Sequence, residues 1–99
     1  MSYTIDEIRE KATPIAIRYG VDSLSLFGSY ARGEADEHSD LDFFIEKGEL
    51  RTLFEHSGLI LDLEDEFGCH VDVVVLSGVH DSDFYDEITK EGIKLYERG

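Results

Sequence analysis

The sequence predicts an α/β (α+β) domain: a small mixed β-sheet of three or four strands flanked by helices. Three observations carry that prediction. Short runs rich in β-branched and aromatic residues, SLSLF, LDFFIE and HVDVVVL, are bounded by glycine or charged clusters, as strands are. The segments at the N-terminus and between the second and third runs instead space their apolar residues as helices do. Ninety-nine residues, 41% of them hydrophobic, suffice for one modest core that would bury about 60–70% of the unfolded chain's surface, so residues 1–99 are expected to form a single domain.

In chain order, Thr4-Ile5-Asp6-Glu7 reads as a capping box, and Ile5, Ile8, Ala12, Ile15, Ala16 and Tyr19 then share one helical face that ends near Gly20. Pro14 falls inside this helix and predicts a kink or a break into two shorter helices. In SLSLF, Leu24 and Leu26 alternate with serines as in a half-buried strand, and Gly28 ends it. SYAR is long enough only for a short helical turn, and residues 33–39 form a charged loop. LDFFIE is the second strand, with Phe43, Phe44 and Ile45 in the core. From about Glu49 to Phe67, Leu50, Leu53, Phe54, Ile60, Leu61 and Phe67 fit a helix, with Gly58 as a weak point and Gly68 as its stop. HVDVVVL is the third strand, apolar enough for the middle of a sheet. A polar loop over 77–82 leads into a short helix through about Glu91, and GIKLYE either extends that helix or adds an edge strand. No repeat, linker or low-complexity tract is visible.

Twenty-three acidic residues against nine basic ones give a net charge of −14 and a sequence pI near 4.4. Such a surface repels phosphate backbones and anionic membranes, which argues against direct nucleic-acid or membrane binding and for a basic protein partner. The single cysteine, Cys69, excludes an internal disulfide and a thiolate zinc cluster, and its neighbours mark it as a core residue. The N-terminus lacks a basic region followed by an apolar stretch, and no run approaches the roughly 18 apolar residues of a membrane span, so a soluble cytoplasmic protein is expected.

The stretch GSYARGEADEHSDLD, residues 28–42, has no explanation in local stability. On a strand Asp40 and Asp42 point to the same face, where their repulsion is costly unless a cation lies between them. Asp72 stands near the start of the third strand, so if the two strands are neighbours three carboxylates converge on one edge of the sheet. Carboxylate oxygens suit Mg²⁺, with Mn²⁺ as the other candidate, and such ions keep waters while binding substrate phosphates. Two ions about 3.5–4 Å apart would activate the attacking oxygen and neutralise the leaving one in displacement at phosphorus. Gly28 lets a ligand approach the backbone, and Ser29 adds a hydroxyl, so this pair is positioned for the terminal phosphates of a nucleoside triphosphate. Arg32 either supports those phosphates or pairs with a loop carboxylate.

Taken together, GSYARGEADEHSDLD resembles the G-S-x10-D-x-D signature of the DNA polymerase beta-type nucleotidyltransferase superfamily, and HVDVVVL is similar to the strand that bears its third carboxylate. The short length, LFGSYARG and EITKEGIKLYE make the chain most similar to the minimal nucleotidyltransferase (MNT) antitoxins, which form operon pairs with HEPN-domain RNase toxins. This resemblance implies the polymerase beta-like palm fold and a type VII-like antitoxin that transfers AMP from ATP to a tyrosine of its toxin. Carried over, Asp40, Asp42 and Asp72 would bind the metals, most simply two Mg²⁺ ions, and Asp72 would also help deprotonate the tyrosine. Gly28 and Ser29, with Arg32 beside them, would hold the ATP phosphates. Two other readings stay open: an antitoxin that only masks its toxin, and the catalytic half of a small-molecule nucleotidyltransferase.

Other polar residues have plainer readings. His38, His56, His70 and His80 are scattered; His70 shares a strand face with Asp72 and is read as structural or exposed, with a place beside the metal site as the competing role. Tyr30 is a packing residue. Asp62, Glu64, Asp65 and Glu66 form a solvated helix face, or a contact for basic partner residues.

Overall fold

Local signals fix where the helices begin. In this computed structural model, which describes residues 2–99, helix α1 (Ile5–Tyr19) opens with the Thr4–Glu7 capping box, the Thr4 amide donating to Glu7 Oε1 at 2.8 Å and the Glu7 amide to Thr4 Oγ1 at 3.1 Å. Strand β1 (Ser23–Phe27) leads through the single turn of α2 (Gly28–Arg32) and the acidic loop into β2 (Leu41–Glu46). Helix α3 (Leu53–Phe67) carries the chain to β3 (Val71–Val75), and a 3₁₀ turn (Leu76–Gly78), α4 (Ser82–Glu91) and β4 (Ile93–Glu97) complete it. The sheet order is β3-β2-β1-β4, with β2 and β3 parallel and the other pairs antiparallel. This is the small mixed sheet with flanking helices that the sequence predicts, and GIKLYE resolves as the edge strand β4.

Alternation along the strands divides the sheet into two faces. One carries Leu24, Leu26, Leu41, Phe43, Ile45, Val71 and Val73 into the main core beneath α1 and α3. The other carries Phe27 and Phe44, which pack with Ile88 of α4 in a second, smaller cluster. β1 is therefore buried along its whole length rather than half-buried, because it is central in the sheet and covered on both faces. Ser23 accommodates this by donating its hydroxyl to Glu46 Oε1 at 2.9 Å.

Four expectations need correction. Pro14 does not break α1, which runs unbroken for 15 residues. Pro14 and Glu10, four residues before it, lie on the exposed side, while Ile8, Ala12, Ile15 and Ala16 hold the opposite side in the core. β3 is an edge strand, not a central one; its apolar character reflects packing on both faces, Val73 into the main core and Val74 against the smaller cluster. α3 starts at Leu53, because a second capping box, Thr52 with Glu55, sets its first turn. Its buried face is Leu59, Leu63 and Phe67, whereas Leu53 and Phe54 are 83% and 92% exposed and Leu61 also faces out; Leu50 is buried from the preceding loop. Cys69 is only partly buried against the core.

Gly58 stays within α3, where a Cβ would crowd the Tyr19 hydroxyl of α1, and that hydroxyl donates to Asp62 Oδ2 at 2.6 Å. Asp62 also pairs with Arg18 at 3.2 Å, so the acidic face of α3 is in part an internal contact with α1. Tyr30 is buried, as a packing residue should be. Among the described residues no helix is long and apolar enough to cross a membrane.

Replacing the fully buried Phe43 by alanine should remove about 3–5 kcal/mol of stability, and Thr52→Ala about 1 kcal/mol. Urea unfolding should show both as lower midpoints with an unchanged slope.

Candidate active site

The carboxylates lie on the α4 side of the sheet, at the end where β2 begins. Across the strands Phe27 of β1, Asp42 of β2 and Asp72 of β3 form one row, since Asp42 is the direct register partner of both neighbours. Asp40 precedes Asp42 by two residues. Asp42 is half-buried, whereas Asp40 and Asp72 are exposed. Burial pushes the Asp42 carboxyl above its usual range, and the charges of Asp72 and Asp40 push it further; Arg32 and His70 pull it partly back. Asp42 therefore lies in the field of both neighbouring acids.

Gly28 explains why the other half of the motif starts with glycine. Its φ of 76° turns the chain sharply from β1 into α2, a conformation that L side chains adopt only at a cost. A Cβ at this position would collide with Asp42 Oδ2, so the backbone lies directly against the carboxylate. The acidic loop then folds back to β2 through its own polar bonds. The His38 amide donates to Asp36 Oδ1 at 2.8 Å, and the Asp36 amide to Ser39 Oγ at 2.9 Å. The spacer is thus a short helical turn and a hydrogen-bonded loop that returns the chain beside its starting point.

An open cleft of about 350 Å³ lies between the β1–α2 turn, the start of β2 and α4. Gly28, Ser29, Arg32, Asp40 and Asp42 line one side. Asp72 stands beside Asp42 in register but outside the cleft lining. Arg32 donates through Nε to Glu34 at 3.0 Å and through Nη1 to Glu91 at 3.4 Å, so its partners here are carboxylates. His70, read from sequence as structural or exposed, is exposed and bridges two acids, with Nδ1 3.2 Å from Glu64 and Nε2 3.3 Å from Asp72.

The opposite wall was not anticipated. It comes from α4, through Phe84, Glu87, Ile88 and Glu91. Their spacing of three, four and seven residues marks a single helical face, the signal that could have located it.

Metal binding is chemically compatible with these groups. Among the described residues no three His, Cys, Asp or Glu side chains are grouped closely enough to cage an ion by themselves. Mg²⁺ and Mn²⁺ do not need such a cage, because one or two carboxylates with waters and substrate phosphates complete their coordination. Asp40 and Asp42 supply hard oxygens on the cleft wall, and a cation there would relieve the repulsion that acts on Asp42.

A half-buried carboxylate flanked by two others, pressed against a glycine that opens a helix, defines the layout of a phosphate-handling transferase domain. Residues 10–99 match the family described as Polymerase beta, Nucleotidyltransferase, and the chain belongs to that family. It is 42% identical to a candidate protein adenylyltransferase of Methanocaldococcus jannaschii over 77% of this chain and 82% of that protein. It is 36% identical to the protein adenylyltransferase MntA of Thermococcus cleftensis, over 77% of this chain and 81% of the relative. Among solved structures, a candidate minimal nucleotidyltransferase superposes with a TM-score of 0.77 at 35% identity, covering 92% of this chain and 95% of the other. The fold is shared with a Shewanella oneidensis MNT antitoxin in complex with its tri-AMPylated HEPN toxin, at TM-score 0.74 and 16% identity, over 96% of this chain and 74% of that one.

Gly28 and Gly33 have nearly the same φ, 76° and 74°, yet a Cβ at Gly33 would meet nothing within 4 Å. Alanine at either position should cost about 1–2 kcal/mol through backbone strain. Gly28→Ala should cost about 1–3 kcal/mol more, because Asp42 must move. Paired urea melts would measure the difference.

Proposed function

We propose that this chain is the antitoxin of a type VII-like toxin–antitoxin pair, and that it works as a metal-dependent protein adenylyltransferase moving AMP from ATP to a tyrosine of a cognate HEPN RNase toxin. The observation that carries this reading is the Asp42 carboxylate, half-buried against Gly28 and flanked by Asp40 and Asp72. The adenylyltransferase names of the relatives and the AMPylated toxin of the MNT complex support the same reaction.

In this reading Ser29 holds the β and γ phosphates, Gly28 lets them approach the backbone closely, and Arg32 adds positive charge at that end of the cleft. Asp40 and Asp42 would hold the magnesium, and Asp72 would complete the metal set. When bound, magnesium neutralises charge that builds on the phosphates during displacement. The tyrosine oxygen forms a bond to the α-phosphorus, the bond from that phosphorus to the bridging oxygen of the β-phosphate breaks, and pyrophosphate leaves. Asp72, exposed beside Asp42, would help take the phenolic proton. The partner contributes the tyrosine, and a net charge of −14 suits a basic, RNA-binding toxin. ATP as substrate suits a cytoplasmic reaction.

Co-expression with the product of the neighbouring gene, followed by intact-mass measurement of that partner, tests the proposal. The partner should gain one or more AMP units, and the D40A/D42A double variant should slow the transfer by at least about a thousandfold. EDTA should stop the reaction, with Mg²⁺ or Mn²⁺ restoring it. A partner that co-purifies unmodified would instead indicate masking without chemistry. Pyrophosphate release that needs only a small hydroxylated acceptor would indicate a small-molecule transferase.

A further inference from the structure

We infer that Glu91 is a positioning residue, whose carboxylate sets the Gly28–Ser29 loop against Asp42 by accepting the Gly28 amide. This rests on the phosphate-binding role proposed for that loop. Gly28 is buried and opens α2, where an amide has no carbonyl of its own helix to meet. A buried N–H needs an acceptor, and Glu91 Oε1 supplies it at 2.8 Å. Arg32 Nη1 lies 3.4 Å from each oxygen of the same carboxylate, which is only 19% exposed.

Local stability does not account for a glutamate here. Glu91 is the last residue of α4, where the helix carries partial negative charge and an acid is unfavourable. The charge is also adverse beside a triphosphate. Its position is explained by what it grips. Gly28 is held on one side by its amide on Glu91, while its Cα abuts the Asp42 carboxylate on the other. With the Gly28 amide engaged, the Ser29 hydroxyl makes no hydrogen bond among the described residues and lines the cleft, available to a phosphate. α4 therefore fixes the spacing between the phosphate grip and the metal carboxylates without touching the reacting atoms.

Two conservative variants separate reach from charge. Glu91→Asp keeps the charge and withdraws the oxygens by one methylene, whereas Glu91→Gln keeps an oxygen at the same reach and loses the charge. Titration with AMP-PNP and Mg²⁺ should show binding weakened at least about tenfold in Glu91→Asp and by no more than about threefold in Glu91→Gln. In ¹⁵N spectra the Gly28 amide should move upfield and exchange faster in Glu91→Asp alone. Binding that is unchanged or tighter in Glu91→Asp, or weakened equally in both variants, would overturn the inference. If the wild-type chain fails to bind AMP-PNP with Mg²⁺, the phosphate-binding reading itself falls; if it binds and Glu91→Asp matches it, only the role of Glu91 does.

Discussion

Asp42 has lost part of its hydration and faces two like charges, and the rest of the molecule is arranged around keeping it there. It lies in a row near the end of the sheet, between Phe27 and Asp72, and parallel pairing of β2 with β3 fixes that row. A register slip of one residue would send Asp42 into the main core and Phe43 out of it. The apolar side chains alternating with the acids, Leu41 and Phe43 on β2 and Val71 and Val73 on β3, therefore specify the site as firmly as they specify the fold. Hydrophobic burial beneath α1 and α3 offsets the repulsion concentrated on the other face.

The two faces differ in how strongly they are held. The main core joins both long helices to all four strands, whereas the α4 face has a cluster of three buried side chains, Phe27, Phe44 and Ile88. α4 buries only Ile88 and otherwise meets the sheet through the cleft-side groups. Stability and chemistry are thus assigned to opposite sides of one sheet. Polar groups that would disrupt the main core are tolerated where α4 leaves the cleft open to water.

Much of this was legible in the sequence because local signals and tertiary packing agree. The Thr4 box, the glycine stops at Gly20 and Gly68 and the strand runs appear where the structure has them. Disagreement arose where tertiary contacts decide. Leu50 looked like the first turn of α3, yet it is a buried loop residue, and Leu53 and Phe54 extend a periodic pattern on a surface that is exposed. β3 looked central because packing on two faces and pairing on two edges leave the same apolar signature. The motif over 28–42 showed which residues surround the cleft on one side, but Glu91 was one acid among twenty-three, and nothing in its own neighbourhood revealed that a residue 63 positions earlier would donate to it.

The antiparallel pairing of β1 with β4 has a consequence for synthesis. Ser23 lies opposite Glu97, so the strand that opens the sheet waits until β4 is made before its second edge is covered. A nascent chain emerging from the ribosome can form α1 and pair β1 with β2, but its Gly28 amide has no carboxylate to meet until α4 follows. These long-range closures make the arrival of α4 and β4 the step that completes both the sheet and the loop that opens the cleft. Chains interrupted before β4 would carry the whole GSYARGEADEHSDLD motif and still present an uncovered β1 edge, ready to pair with another chain.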